Sequence, residues 1–519
     1  MCNAFKTVVR SLLIGMLLIN CGLRSQTRSS EKLPSSRAEQ RVERFEKQAD
    51  ELRELLKIPG MSAVIVKEQE VLWAKGFGFA DFERRVPATP DTVYHIASLT
   101  KTFAATLIMQ LVEQGKLDLD EPVSHYSSDF KDDSVKIKHL LTHTSNGTPG
   151  ERYQYDGNRF DYLTAVIEKK IGKSFRAVMV ESFLDPLAMS DSIPGHSVVE
   201  DAQRNTVLSK ENLARYNKNL PRLAQPYTLY GDSEIVRVPY PPKDFFGAAA
   251  GLLSTVRDMA KFDAAIDRHL FLKKETQEKA WIPFVSNSGQ RLPHGLGWFV
   301  EDYHGVKLIW HYGHWGTGYS AIYLKVPEKN LSLIVLSNSE ALADHQFKLN
   351  GKIVDNVFAC NFLRLFVFED LQERRLPDPH WQENTQGFVR EITGLSDQSK
   401  GYEYDCERDS QAALARWRAD RRKQARVPVQ LDPKILDAYV GQYQFETPPN
   451  RVLGVTREGN RLFIEIPKNF RSELFAESES KFFLKTTRIQ VTFVKADGQV
   501  THFVALANDG YTVKAKRVK

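Results

Sequence analysis

The spacing of apolar residues changes near residue 430 and divides this chain into two folding units. Before that point, strand-like runs at 62–66 and 71–79, and three more between 308 and 336, enclose segments with helical spacing. We therefore predict an α+β unit in which strands from both ends of the segment join one antiparallel sheet flanked by helices. After Leu431, six short, evenly spaced runs with intervening turn signals predict a small, antiparallel, barrel-like β-domain.

A length of 519 residues exceeds that of an ordinary single domain. Changes in composition along the chain indicate where the domain boundaries lie. Residues 22–38 are rich in Ser, Arg and Gln and predict a flexible tether. Residues 371–428 are polar, show little strand pattern and predict a helical linker. The α+β unit then occupies 39–370, with one of its helices expected over 252–266, and the β-domain occupies 429–519.

The N-terminus has the layout of an export signal. Basic residues precede an apolar run at 11–19, which is too short to remain as a membrane-spanning helix. The run leads into Leu-Ile-Asn-Cys, which resembles the lipobox of bacterial lipoproteins, although Asn20 stands where a smaller residue is usual. The resemblance implies that residues 1–21 form a lipoprotein signal peptide with Cys21 as the lipidated residue. We therefore expect an exported, membrane-anchored lipoprotein, periplasmic or at the cell surface; the alternative is that Cys21 is a spectator in a peptide that is removed.

Two of the four cysteines, Cys360 and Cys406, lie outside the signal. In an oxidising compartment they can form a disulfide. Cys360 lies in an apolar helical run, however, and therefore also fits a buried free thiol, so the sequence leaves both states open. Without a matching histidine pattern the cysteines do not indicate zinc, and we expect no metal, nucleotide or organic cofactor.

The formal net charge of +6 is spread along the chain, apart from one short basic run at 416–426 that is typical of a solvated helix face. Nucleic-acid binding shows a denser basic stripe together with a recognisable reading module. The sequence has neither, so we expect no nucleic-acid partner.

A Ser-x-x-Lys pattern at Ser98 and Lys101 opens a long amphipathic segment at 98–117 that predicts a helix. The same pattern occurs at three further serines, none of which opens such a helix: Ser29, Ser128 and Ser478. Residues three apart share a helix face, so Lys101 can reach the Ser98 hydroxyl. The free N–H groups of the helix N-terminus favour an oxyanion, and burial can hold a lysine neutral enough to act as a base. The alternative is a helix-capping serine beside a surface lysine.

The residues around this pattern resemble the active-site block of class C β-lactamases, related esterases and DD-peptidases. Further blocks resemble the same serine β-lactamase and penicillin-binding protein family and follow in its order at 115–120, 140–145 and 249–255. The resemblance covers about residues 40 to 345. It implies a β-lactamase-like serine hydrolase domain over 39–370, with Ser98 as nucleophile and Lys101 as its activating partner.

The second motif of this family is Tyr-x-Asn, and Tyr155 falls at its tyrosine. By resemblance, the Tyr155 phenol shuttles protons between Ser98 and the leaving group. Gly157 stands at the usual asparagine place and Asn158 comes one residue late, which weakens recognition of β-lactams and peptides more than that of simple esters. Tyr153 is the alternative tyrosine.

The third motif is Lys-Thr-Gly or His-x-Gly, and here His311 and Gly313 end an apolar strand. The resemblance implies that His311 lines the cleft, that Gly313 admits a substrate backbone and that the N–H of His314 completes the oxyanion hole. His314-Trp315-Gly316 is a competing register. We expect His143 to be structural, because it lies in a loop-supporting block of the family.

Together these motifs predict a serine hydrolase that works through an acyl-enzyme. The expected substrates are small esters, D-amino-acid peptides or amides and, last in order, β-lactams. Besides the substrate, the expected partner is a lipid membrane, reached through the N-terminal anchor. The alternative is a catalytically weak, membrane-anchored binding protein on the same scaffold.

Overall fold

The computed structural model describes residues 36–200, 208–241, 245–343, 352–368, 405–446, 452–466, 470–487, 489–506 and 512–518. The predicted signal peptide with Cys21, and the tether up to residue 35, lie outside this set. The tether ends earlier than predicted, because helix α1 (Arg37–Leu55) already begins at Arg37. Ser36 accepts a hydrogen bond from the Glu39 N–H and the Glu39 carboxylate accepts one from the Ser36 N–H, which fixes the helix start.

A seven-stranded antiparallel sheet forms the centre of the larger unit and confirms the predicted α+β class. In spatial order its strands are β3 (Val86–Pro87), β2 (Glu70–Asp81), β1 (Gly60–Lys67), β12 (Leu331–Ser337), β11 (Tyr319–Val326), β10 (Val306–Trp315) and β9 (Phe299–Tyr303). The two ends of the segment meet at the sheet centre, where Ala63 on β1 pairs with Val335 on β12. Sequence patterns predicted every long strand here except β9.

Helices cover both faces of this sheet, so it separates two hydrophobic cores. The helices after α1 are α2 (Thr100–Glu113), α3 (Ile137–Leu141), α4 (Gly157–Phe160), α5 (Leu163–Ile171), α6 (Phe175–Met179), α7 (Lys210–Asn219), α8 (Val256–Asp267), α9 (Lys274–Ala280) and α10 (Val357–Leu363). Alternating side chains of β1 enter opposite cores: Val64 belongs to the core that contains Phe103 and Phe262, and Ile65 to the core that contains Phe45 and Phe358. This explains why β1 is apolar at nearly every position.

Short strands complete the larger unit around its helices. They are β4 (Tyr94–His95), β5 (Ile193–Pro194), β6 (Tyr227–Tyr230), β7 (Glu234–Arg237) and β8 (Leu252–Ser254). The prediction of a helix over 252–266 was wrong at its start, because β8 pairs with both β4 and β5. Helix α8 begins only at Val256, where the Thr255 hydroxyl accepts a hydrogen bond from the Asp258 N–H.

The C-terminal unit is a closed antiparallel barrel of eight strands. They are β13 (Gly441–Phe445), β14 (Val452–Glu458), β15 (Arg461–Ile466), β16 (Phe470–Ala476), β17 (Lys481–Phe483), β18 (Gln490–Ala496), β19 (Gln499–Leu506) and β20 (Thr512–Arg517). The sequence patterns missed β16 and β20, and β20 closes the barrel by pairing with β13 and β19. Buried aromatic side chains, among them Tyr443, Phe482 and Phe493, pack in its core.

Helix α11 (Asp405–Gln424) lies within the predicted linker and is attached to the larger unit at both of its ends. Near its start, Cys406 forms a disulfide with Cys360 of α10, with the two Cα atoms 5.8 Å apart. Near its end, the buried Arg421 lies 2.7 Å from the buried Glu340 carboxylate. A short helix α12 (Pro433–Asp437) then leads into the barrel. Among the described helices, none has the length and apolar character that crossing a membrane requires.

Candidate active site

Ser98 lies in a tight 3-10 turn, Ala97–Leu99, directly before helix α2. The preceding Ala97 has a φ of 48°, a left-handed conformation that residues with a Cβ rarely adopt. Two side chains hold this turn: His95 Nδ1 accepts a hydrogen bond from the Ala97 N–H at 3.1 Å, and the Thr100 hydroxyl donates to the Ala97 carbonyl at 2.8 Å. Backbone strain that neighbours hold in place is typical of functional sites, and here it fixes the position of Ser98.

Lys101 is almost completely buried, with 1% of its surface exposed, and faces Ser98. Its Nζ lies 3.0 Å from Ser98 Oγ and donates to the Ala249 carbonyl at 2.8 Å. Burial lowers the Lys101 pKa to about 7, while the negative charges of Asp161 and Asp156 act in the opposite direction. A large fraction of Lys101 is therefore neutral near pH 7, which is the form that can accept a proton from Ser98.

Tyr155 also lies beside Lys101, with its ring centre 5.2 Å from Lys101 Nζ. The ring stacks on His143 at 4.2 Å between centres. Burial raises the Tyr155 pKa well above its ordinary value of 10, and the facing hydroxyls of Ser98 and Tyr312 only reduce this rise. Tyr155 is therefore a neutral phenol at physiological pH. Within the described residues its hydroxyl completes no hydrogen bond, although it is buried.

The alternative tyrosine, Tyr153, does not face Ser98. Its ring stacks on His294 at 6.2 Å between centres and lies edge-on to Phe299. His143 supports the loop that carries both tyrosines, because its Nδ1 accepts a hydrogen bond from the Asp156 N–H at 3.1 Å. The geometry thus brings Tyr155, and not Tyr153, to the serine.

Gly157 occupies the place beside Lys101 at which the family pattern has asparagine. A Cβ on Gly157 would lie 3.7 Å from Lys101 Nζ. Asn158 is exposed on α4, and among the described contacts none joins it to Ser98 or Lys101, so its role in substrate binding stays a prediction. Helical geometry explains why it differs from Gly157: α4 begins at Gly157, and consecutive residues of a helix point in directions about 100° apart.

His311 is buried on β10 and is uncharged. Its Nδ1–H donates to the Tyr312 carbonyl at 2.7 Å, which leaves Nε2 as an acceptor without a partner in the described structure. Burial holds the His311 pKa well below its ordinary value, and the neighbouring His294 and Lys101 lower it further. The ring centre lies 6.2 Å from that of Tyr155, so His311 borders the site as a neutral group.

Gly313 brings β10 against the serine turn. A Cβ at this position would overlap the Ile96 carbonyl oxygen, so the chain's own backbone already requires the glycine; that Gly313 also admits a substrate backbone stays a prediction. Strand β9 pairs with β10 only as far as Trp310, and the following residues of β10 lie along the Ala97–Leu99 turn. His314 belongs to this segment. In the competing register, Gly316 lies in an exposed turn beyond it.

Sequence reasoning missed the side chains that surround this machinery. His294 and Phe299 lie behind Tyr155, with ring centres 5.0 Å from His143 and 6.3 Å from Tyr155, respectively. Neither residue lies in a motif, and only the pairing of β9 with β10 brings Phe299 into place. Within the described part of the chain, no cluster of three or more potential ligand side chains is arranged for a metal ion.

Comparison with known proteins agrees with this fold. The β-lactamase family profile matches residues 45–355, and a domain of unknown function, DUF3471, matches residues 425–515. Penicillin-binding protein 4* of Bacillus subtilis is 24% identical over 487 residues, which cover 87% of this chain and 93% of the relative.

Solved structures support the fold. An octameric penicillin-binding protein homologue from Pyrococcus abyssi aligns over 92% of this chain and 100% of its own, with a TM-score of 0.50 and 21% identity. A class C β-lactamase aligns over 64% of this chain and 98% of its own, with a TM-score of 0.50 and 18% identity. The matched family is one of serine acyl-transferases and hydrolases. This chain belongs to the β-lactamase family.

Proposed function

We propose that this protein is a serine hydrolase that cleaves small, uncharged esters through an acyl-enzyme on Ser98. The observation that carries the proposal is the buried contact of 3.0 Å between Ser98 Oγ and Lys101 Nζ, in which burial brings the Lys101 pKa to about 7. A surface lysine beside a helix cap would be charged and solvated, and could not take the proton of a serine.

In the proposed reaction, Ser98 Oγ attacks the ester carbonyl while its proton moves to the neutral Lys101 Nζ. The N–H groups of Ser98 and His314 hold the oxyanion. Tyr155 donates its phenolic proton to the departing alkoxide and recovers one from Lys101. A water molecule then attacks the acyl carbon, and the carboxylic acid leaves as Ser98 regains its proton. The raised Tyr155 pKa fits this role, because a neutral phenol is a proton donor.

Two features favour esters over the other substrate classes. With Gly157 at the asparagine place beside Lys101, this position supplies no side-chain amide to hold a substrate amide. His311 is neutral and buried, so that position offers no positive charge for a substrate carboxylate. We therefore rank uncharged esters first, D-amino-acid peptides or amides second and β-lactams last.

The proposed site of action is outside the cytoplasm, on a membrane to which a lipid on Cys21 attaches the chain. Metabolic labelling with a radioactive fatty acid tests this directly. The parent should incorporate label and sediment with membranes, whereas Cys21→Ala should do neither. Equal labelling of both proteins would exclude Cys21 as the anchor.

The hydrolase proposal is tested by acylation. Protein lacking residues 1–21 is mixed with p-nitrophenyl acetate and, separately, with a penicillin, and both the product burst and the intact mass are recorded. We expect a burst and an acetyl adduct with the ester in the parent, none in Ser98→Ala, and slower acylation by the penicillin. Absence of any adduct in folded parent protein would favour the alternative, a binding protein on this scaffold.

A further inference from the structure

Two side chains on the helices that follow Tyr155 hold the loop that contacts Lys101. Asp161 Oδ1 accepts a hydrogen bond from the Ala249 N–H at 3.1 Å, and Thr164 Oγ1 accepts one from the Ala248 N–H at 2.8 Å. The loop approaches so closely that a Cβ on Gly247 would overlap the Asp161 carboxylate. Two consecutive backbone N–H groups of the loop are thus held by Asp161, at the end of α4, and by Thr164, in the first turn of α5.

The same loop carries the carbonyl that orients Lys101. Ala249 donates its N–H to Asp161 and accepts from Lys101 Nζ through its own carbonyl, at 2.8 Å. A shift of this residue would move the acceptor that holds Nζ within reach of Ser98 Oγ. Because Lys101 has four rotatable side-chain bonds, a fixed acceptor is what selects one position for its amine.

Asp161 also acts on Lys101 through its charge. Among the groups that surround Lys101, Asp161 and Asp156 favour the charged amine, and Asp161 is the stronger of the two. Burial keeps the other titratable groups that face Lys101 neutral, so none of them adds a charge beside its amine: His143, His294, His311 and Tyr155. Thr164 carries no charge; besides accepting from the loop, its hydroxyl donates to Asp161 Oδ1 at 3.3 Å.

We propose that Asp161 and Thr164 are positioning residues for Lys101, Thr164 through geometry alone and Asp161 through both geometry and charge. The proposal rests on the function proposed above in assigning Lys101 as the base. It accounts for a lysine that keeps a defined place although Gly157 supplies no side chain beside it.

The two roles are separated by three variants assayed with p-nitrophenyl acetate across pH. Asp161→Asn keeps an oxygen acceptor for the Ala249 N–H and removes the charge, so the rising limb of kcat/KM moves to lower pH by about one pH unit. Thr164→Val removes the acceptor of the Ala248 N–H, so kcat/KM falls by about tenfold while its rising limb stays at the same pH. Thr164→Ser restores the acceptor and the rate.

A second readout requires no turnover. Lysine labelled with ¹³C at Cε is titrated by NMR in the parent and in Asp161→Asn, with Lys101→Met identifying the Lys101 signal. We expect the Lys101 titration to move to lower pH in Asp161→Asn and to stay in place in Thr164→Val. An unmoved titration in Asp161→Asn, or an equal shift in both variants, overturns the proposal. A parent that titrates as expected but forms no adduct refutes the hydrolase function and leaves this inference standing.

Discussion

Replacing Lys101 by methionine should make the folded protein more stable near neutral pH, and this gain should shrink as pH rises. The pKa of Lys101 falls from an ordinary value of 10.5 to about 7 in the folded state. Between these values the unfolded chain binds a proton that the native state lacks. The parent therefore loses native stability as pH falls through this window, whereas a methionine binds no proton and is unaffected.

The size of the effect follows from the two pKa values. With a pKa of 10.5 in the unfolded chain and about 7 in the folded state, Lys101 lowers the free energy of unfolding of the parent by about 4 kcal/mol at pH 7 and by about 2 kcal/mol at pH 9. Methionine has a similar length but leaves the buried Ala249 carbonyl without its hydrogen bond, at a cost of about 1–3 kcal/mol. Lys101→Met should thus be more stable than the parent by about 1–3 kcal/mol at pH 7 and by about nothing at pH 9.

Urea unfolding at pH 7, 8 and 9, followed by tryptophan fluorescence, measures this difference. The stability difference between Lys101→Met and the parent should change by about 2 kcal/mol from pH 7 to pH 9. This change is the decisive quantity, because the lost hydrogen bond contributes equally at each pH. Ser98→Ala is the matched control, and its effect on stability should not depend on pH. A Lys101→Met effect that stays constant from pH 7 to 9 would refute the claim that burial holds this lysine partly neutral.

Three further predictions concern activity and stability. In the parent, kcat/KM for an ester should rise about tenfold from pH 6 to its plateau with a midpoint near pH 7, because the neutral form of Lys101 is the base; a profile that is flat over this range would contradict the assignment. Gly157→Asn should melt at the parent's temperature and raise penicillin acylation relative to ester acylation by about tenfold, whereas Asn158→Ala should leave this ratio unchanged. Glu340→Gln should lower the free energy of unfolding by about 3 kcal/mol, because it removes the negative charge that faces the buried Arg421 guanidinium. Glu278→Gln, in an exposed pair, should change this free energy by less than about 0.5 kcal/mol, and similar losses in both variants would contradict the prediction.

Local patterns explain what could be predicted from the sequence. The contact between Ser98 and Lys101 joins residues three apart in the chain, so helical spacing alone brings them together. The hairpin of β1 and β2 likewise follows from two apolar runs and one turn. Where a prediction failed locally, at the start of the helix expected over 252–266, pairing of β8 with β4 and β5 outweighed the helical spacing.

Contacts between distant segments could not be predicted in this way. Asp161 meets Ala249 across 88 residues, and Lys101 meets the same residue across 148. No periodicity or turn signal encodes such a pairing, because it depends on how α4 and the loop before β8 pack around α2. The barrel strand β20 was missed for a related reason: its alternation is weak, and its place is set by partners on both sides.

The disulfide between Cys360 and Cys406 has a consequence for the covalent integrity of the protein. It spans a sequence separation of 46 residues between α10 and α11, and the barrel follows α11. A protease that cuts the chain once between these cysteines would therefore not release the barrel. The two fragments would migrate as one species without reductant and separate only after reduction. Outside the cytoplasm, where we propose that this protein acts, a nicked molecule would remain a single covalent unit.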